Sequence, residues 1–159
     1  MATGTPATAL LTRERVAHTL HPYQHDPRAE AFGEEAAAAL DVAADRIFKT
    51  LIAVIDGQLT CAVVPVSGRL DLKAVAAARG GKRAEMAEPI AAQRATGYVV
   101  GGISPLGQRS RLPVVLDQSA LGFPTVFVSA GKRGVQVELA PADLVRLTRA
   151  TVAAIGAHG

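Results

Sequence analysis

The sequence predicts a single α+β domain, and three observations carry that reading. Two apolar runs, Ile47 to Ile55 and Leu59 to Val66, are separated by Asp56-Gly57-Gln58, and Asp-Gly between such runs is a strong hairpin signal. Helical stretches with recognisable first-turn signals, at Asp71, at Glu88-Pro89 and at Pro141, stand between further strand-length apolar runs. No internal repeat and no linker interrupts the 159 residues, a length that suits one domain spanning 1–159.

Taken in order, Met1 to Gly4 reads as a disordered lead, and Thr5-Pro6 supplies an N-cap and first-turn proline for a helix through about Leu20. His21 to Pro27 is held extended by two prolines and contains an expected short strand around Tyr23-Gln24-His25. Gly33-Glu34-Glu35 begins an Ala-rich helix that ends near Leu40, with its acids at the favourable N-terminal end. After the hairpin, Asp71 caps a helix ending at Gly80-Gly81, and Glu88-Pro89 starts another ending at Gly97. Strands are expected at Tyr98 to Gly101, Pro113 to Leu116 and Thr125 to Ser129. A turn at Gly131-Lys132-Arg133-Gly134 leads into a further strand, Val135 to Leu139. Pro141 opens the last helix, with Leu144, Leu147 and Thr151 on one face.

Composition narrows the function. The hydrophobic fraction of 49% is ample for a core. No Trp, 2 Tyr and 4 Phe leave too few stacking platforms for a sequence-reading RNA module. A net charge of +3 and a pI near 9.4 permit contact with phosphates but not tight autonomous RNA binding. The single cysteine, Cys61, excludes an internal disulfide and a Cys-rich metal site; it lies mid-strand and reads as a small core residue. No apolar stretch approaches the ~18 residues of a membrane span and none forms a signal peptide, so a reducing cytoplasm is the expected compartment, with no membrane or DNA partner. Histidines 18, 21, 25 and 158 show no metal-ligand spacing, and no metal or cofactor is expected.

The richest stretch is Gly97-Tyr98-Val99-Val100-Gly101-Gly102-Ile103-Ser104-Pro105-Leu106-Gly107. Glycine tolerates φ > 0 and admits a ligand to the bare backbone, so this turn can aim several N–H groups at one point; it can equally be a tight connection. Lys49 lies in the apolar run and shares a strand face with Ile47, Leu51 and Ala53, which means it either meets an anion or snorkels to water. Thr50 points to the opposite face, so both cannot line one pocket unless a bulge or a strand end intervenes. Ser129 faces the turn that carries Lys132 and Arg133; with no nucleophile elbow around it, binding suits it better than attack. The two turn cations either contact phosphates or are solvated.

Phe48-Lys49-Thr50, Gly101 to Gly107 and Val128 to Gly134, in this order and at this spacing, closely resemble the YbaK/EbsC family of aminoacyl-tRNA deacylases, which edit Cys-tRNA(Pro). The resemblance runs from roughly Leu10 to Leu147. It implies a mixed sheet, curled towards a barrel, with helices packed outside. It makes Lys49 the family's essential lysine, puts Thr50 at the site, and matches Tyr23 and Phe32 to aromatic pocket positions that would otherwise read as core. Gly101, Gly102 and Ser104 become candidates for holding the substrate carbonyl, ribose or phosphate, with Ser129 and Lys132 beside them. Gln136 stands where better-known members tend to carry Asp, and is expected to orient substrate without supplying a charge or a base. The implied chemistry is substrate-assisted: the cysteinyl thiol attacks its own ester and leaves as a thiolactone. The implied partners are the acceptor end of tRNA(Pro) and prolyl-tRNA synthetase in a ternary complex. Two alternatives stay open, a related domain hydrolysing Ala-tRNA(Pro) with activated water, and a non-catalytic tRNA-end-binding module.

Overall fold

A computed structural model describes residues 4–29 and 31–157, so Met1, Ala2 and Thr3 of the expected lead and His158 lie outside the described residues. The first helix, α1 (Pro6–Arg13), opens with a reciprocal cap: Thr5 Oγ1 accepts from the Thr8 N–H at 3.1 Å while Thr8 Oγ1 accepts from the Thr5 N–H at 2.9 Å. It stops well short of the expected Leu20. Arg15 turns left-handed at φ +55°, Val16 N–H closes onto Leu11 C=O at 3.0 Å, and the chain enters β1 (His18–Pro22). Five residues of β1 pair antiparallel with β8 (Val135–Leu139), a long-range contact that no local signal reveals. The strand therefore precedes the expected Tyr23-Gln24-His25 segment, of which only the Tyr23 N–H continues the pairing, to Gly134 C=O at 2.8 Å.

α2 (Phe32–Leu40) leads to the hairpin of β2 (Phe48–Ile55) and β3 (Gln58–Pro65), paired without a bulge from Phe48↔Pro65 to Ile55↔Gln58. Then follow β4 (Arg69–Leu70), α3 (Leu72–Ala78), β5 (Ala84–Met86) and α4 (Pro89–Thr96). The expected strand at Tyr98 to Gly101 is a turn instead. Two amides are spent locally, the Val100 N–H on Gln93 Oε1 at 3.1 Å and the N–H of the following Gly102 on Val99 C=O at 2.9 Å. β6 (Val114–Asp117) runs through a short 3₁₀ turn into β7 (Val126–Ser129), then β8 and α5 (Pro141–Thr148). Arg149, at φ +54°, ends α5, so Thr151 joins no helix face but opens β9 (Thr151–Ala153), parallel to β6, before β10 (Gly156–Ala157).

The strands form a five-stranded sheet, β5-β2-β3-β6-β9, a three-stranded sheet, β1-β8-β7, and the pair β10-β4. The expected curl into a barrel is not completed among the described residues. The two larger sheets meet through one parallel bridge, Ile47↔Phe127, and β5 pairs with β2 only at Ala53, Val54 and Ile55. Between the sheets lies the main core, with Leu11, Phe48, Val63, Leu106, Leu116 and Leu144 at 1% exposure or less, the burial that drives the fold.

Candidate active site

The parity of the hairpin bonds decides what β2 offers. Val66 N–H donates to Ile47 C=O at 2.8 Å, so odd-numbered residues of β2 bond to β3 and even-numbered residues point to its other edge. On that edge Arg46 C=O is taken by Phe127 N–H and Ile52 C=O by Ala87 N–H. Between the bridge at Ile47 and the start of β5 no strand pairs with this edge among the described residues, which leaves the N–H and C=O of Thr50 turned towards the gap. A cleft of about 420 Å³ occupies this gap. Ile47, Phe48, Lys49, Thr50, Leu51 and Ile52 all line it, since it sees the strand edge-on. Lys49 and Thr50 therefore share one cleft with no bulge and no strand end between them, contrary to the alternation argument.

The opposite walls are Phe32 and Gly33 at the start of α2, Ala92 of α4, Val100 and Gly101 of the glycine turn, and Ser129 and Gln136 of the smaller sheet. Ser129 and Gln136 face each other in the β7–β8 register, which puts both on one face. Among the described residues the Lys49 side chain makes no hydrogen bond or ion pair, while its backbone pairs with Val64 of β3. Two buried side-chain oxygens likewise lack a partner there, Thr50 Oγ1 and Gln136 Oε1. Ser129 Oγ accepts from the Gly131 N–H at 3.1 Å and contacts no base. Gly101 sits at φ +90°, and a Cβ there would lie 2.8 Å from Phe32 Cδ2 and from Arg133 Nε.

Other candidates take different places. Tyr23 is not among the lining residues; burial raises its hydroxyl pKa, opposed by hydrogen bonding to Gly134 and to the Gln136 side chain. Gly102 packs its bare Cα against the backbone of Lys132, where a Cβ would come within 2.7 Å; neither residue lines the cleft. Ser104 is wholly buried and its Oγ accepts from the Leu106 N–H at 3.2 Å, which holds the turn and keeps it from substrate. Arg133 is committed too. It donates to Val100 C=O at 2.6 Å and its guanidinium lies 4.6 Å from the Phe32 ring, a clasp across two cleft walls and not a free phosphate contact.

Sequence reasoning missed Glu34 at the mouth and the apolar walls Val100, Ile103 and Ala92. Glu34 reads from sequence only as a helix-start acid, and no local signal says what that helix end faces. Cys61 is fully buried with its thiol pushed up to about 12 by burial, so it stays protonated. The described histidines are engaged elsewhere, His18 with Val16 C=O at 2.7 Å, His21 with Glu138 at 2.9 Å and His25 with Glu35 at 2.7 Å; the described residues hold no cluster of three or more metal-ligating side chains. Among them, no helix is long and apolar enough to cross a membrane.

A family model described as the aminoacyl-tRNA editing domain matches residues 25–147, most of the chain. The chain belongs to this editing-domain family. The reaction class follows: removal of an amino acid from tRNA, aminoacyl-tRNA deacylation. The editing domain is 42% identical over 125 residues to EbsC of Enterococcus faecalis, a candidate Cys-tRNA(Pro)/Cys-tRNA(Cys) deacylase; the match covers 77% of this chain and 75% of the relative. Its fold is that of a crystal structure titled as a candidate trans-editing enzyme for prolyl-tRNA synthetase, with a TM-score of 0.86, 27% identity, and coverage of 99% of this chain and 98% of the other. A scaffold used for epitope grafting overlays at a TM-score of 0.85 with 25% identity, again covering 99% and 98%.

Proposed function

We propose that this editing domain acts in trans on Cys-tRNA(Pro), with the substrate's thiol as nucleophile and the protein as the frame that positions the ester. One observation carries the reading: the cleft offers an unpaired cation and a glycine turn but no protein nucleophile with a base. The chain's single thiol is sealed in the core, and the Ser129 hydroxyl is occupied by an amide. The substrate thiol then loses its proton, its sulfur attacks the ester carbonyl, the carbon–oxygen bond to the ribose breaks, and the ribose oxygen takes up a proton. A thiolactone leaves, and water opens it to cysteine. Holding thiol and carbonyl in line contributes on the order of 7–11 kcal/mol in the best intramolecular cases.

Each residue's role follows from its position. The Lys49 ammonium stabilises the developing oxyanion together with the Gly101 N–H, which has no partner among the described residues. Phe32, Val100 and Ile103 give the amino-acid side chain an apolar cavity, while Thr50, Ser129 and Gln136 orient it; Tyr23 supports Gln136 by a hydrogen bond. Discrimination of about 1–3 kcal/mol per methylene explains why a synthetase pocket alone fails to separate cysteine from proline. With a net charge of only +3, the domain acts on tRNA(Pro) presented by prolyl-tRNA synthetase in a ternary complex.

The Glu34 carboxylate at the mouth favours a second reading, in which it activates water and the substrate is Ala-tRNA(Pro) or another mischarged tRNA. One assay separates the two. Cys-tRNA(Pro), its S-methyl form and Ser-tRNA(Pro) are incubated with the protein and the released species are analysed by mass spectrometry. Release of thiolactone from the first, with little from the others, supports the thiol mechanism. Comparable release of free amino acid from all three supports activated water, and no release from any tRNA in a wider panel leaves a tRNA-end-binding module.

A further inference from the structure

Two residues of the cleft wall carry polar atoms for which no described residue is a partner. Thr50 Oγ1 and Gln136 Oε1 are buried, have no hydrogen-bond partner among the described residues, and belong to residues that line the same cavity. A buried oxygen without a donor is costly, and two of them on residues that line one cavity mark what its occupant brings. We propose that Thr50 Oγ1 and Gln136 Oε1 together recognise the α-ammonium group of the aminoacyl moiety, so that the site accepts only a free amino terminus and rejects N-acylated aminoacyl-tRNA.

The chemistry selects the ammonium. An amide oxygen can only accept, so the ligand must supply a donor to Gln136. Given the deacylase reading above, on which this inference rests for its substrate class, the ligand's donors are the α-ammonium, the thiol and the ribose hydroxyl. A thiol is a weak donor. The ribose belongs at the mouth, whereas Gln136 is only 7% exposed. The ammonium alone carries three strong donors on one atom, and a third acceptor stands ready in the Thr50 C=O on the unpaired edge of β2. Side chains alternate along β2, so Lys49 leaves it from the face opposite Thr50. The two ends of the aminoacyl ester are thereby sorted: the carbonyl towards the lysine, the ammonium towards the acceptors. Acylation of the nitrogen removes the charge and two of the three donors, and adds bulk that the acceptor pair has no room to solvate.

The test uses hydrolysis-resistant probes, so it does not depend on turnover. Adenosine carrying L-cysteine through a 3′-amide, and its N-acetyl derivative, are titrated into the protein by calorimetry. The wild type is expected to bind the free-amine probe at least tenfold more tightly. Gln136→Leu and Thr50→Val are each expected to weaken that probe five- to tenfold and to leave the N-acetyl probe within twofold, while Gln136→Glu, which keeps the acceptors, retains the preference. Equal binding of the two probes by the wild type, no binding of either, or equal weakening of both by Gln136→Leu overturns the proposal. Comparing the two probes on the unmodified protein needs no variant to fold. The deacylase reading fails separately, if no ester-linked tRNA is cleaved whatever the probes show.

Discussion

Lys49 combines two properties that packing alone does not reconcile: it lies among apolar neighbours on β2, and no described residue pairs with its side chain. Its replacement by alanine should therefore cost little stability and lower deacylation about 100-fold or more, the usual loss when one oxyanion donor is removed. Lys49→Arg should fail as well, because a planar fork does not reproduce a point charge in a narrow cleft. Deacylation rates and thermal melts on both variants check this, and near-normal turnover by Lys49→Ala would sink the assignment. Gly101→Ala behaves differently. At φ +90°, with Phe32 and Arg133 each 2.8 Å from the new methyl, it should lose about 1–3 kcal/mol of stability along with its activity. Denaturant melts read the stability term and turnover at a permissive temperature reads the other. Cys61→Ala should cost about 1 kcal/mol or somewhat more through a small cavity and keep full turnover, since its buried thiol takes no part. A folded but inactive Cys61→Ala would point to an enzyme thiolate instead.

At the scale of elements, the carboxylate of Asp117 ties the end of β6 to the C-terminal strands. One oxygen accepts from the Ile155 and Gly156 N–H groups at 2.9 and 2.8 Å, and the other from the Ser119 hydroxyl and N–H. Burial alone would raise its pKa, but the hydrogen bonds from Ser119, Gly156 and Ile155 outweigh that and hold it below the ordinary 3.8. Glu138 is lowered below 4.5, first by Thr125 and then by His21 and Arg46. A carboxylate whose folded pKa is depressed contributes its stability in full above the unfolded value and loses it as pH falls through the folded one. Stability should therefore hold near neutrality and decline below about pH 4, and Asp117→Asn should melt earlier at pH 7 with a shallower acid decline. Melting curves from pH 7 to pH 2 on both proteins test this, and an unchanged acid slope in Asp117→Asn would refute it. Arg133, which clasps Phe32 to the glycine turn, belongs to the same scale because it joins two elements.

At the scale of the molecule, the site lies where the two sheets fail to close. A completed barrel would have covered the edge of β2, so the open edge and the cleft are one feature. The modest charge of +3 has its own consequence. Binding of free tRNA should be weak and steeply salt-dependent, whereas prolyl-tRNA synthetase should lower KM for Cys-tRNA(Pro) about tenfold or more with kcat unchanged. Steady-state kinetics with and without the synthetase decide it, and an unchanged KM would remove the ternary complex.

Local chemistry in the sequence was enough to place the hairpin at Asp56-Gly57, α3 behind Asp71, α4 behind Glu88-Pro89 and α5 behind Pro141, because turns and caps act over a few residues, whereas it was the family resemblance that named Lys49, Phe32, Gly101, Ser129 and Gln136 as candidates for one site. Local chemistry misplaced β1, which reads as the tail of a helix until β8 supplies its hydrogen bonds, and it made a strand of Tyr98 to Gly101, a turn in which the Val100 N–H is taken by Gln93 and the N–H of the following Gly102 by Val99. Tertiary structure alone decided how Lys49 and Thr50 share a cleft without a bulge, that Ser104 and Lys132 are not among its lining residues, and that Glu34 is. Each of these depends on which strand edge is left without a partner, and that is set by contacts between residues far apart in the chain.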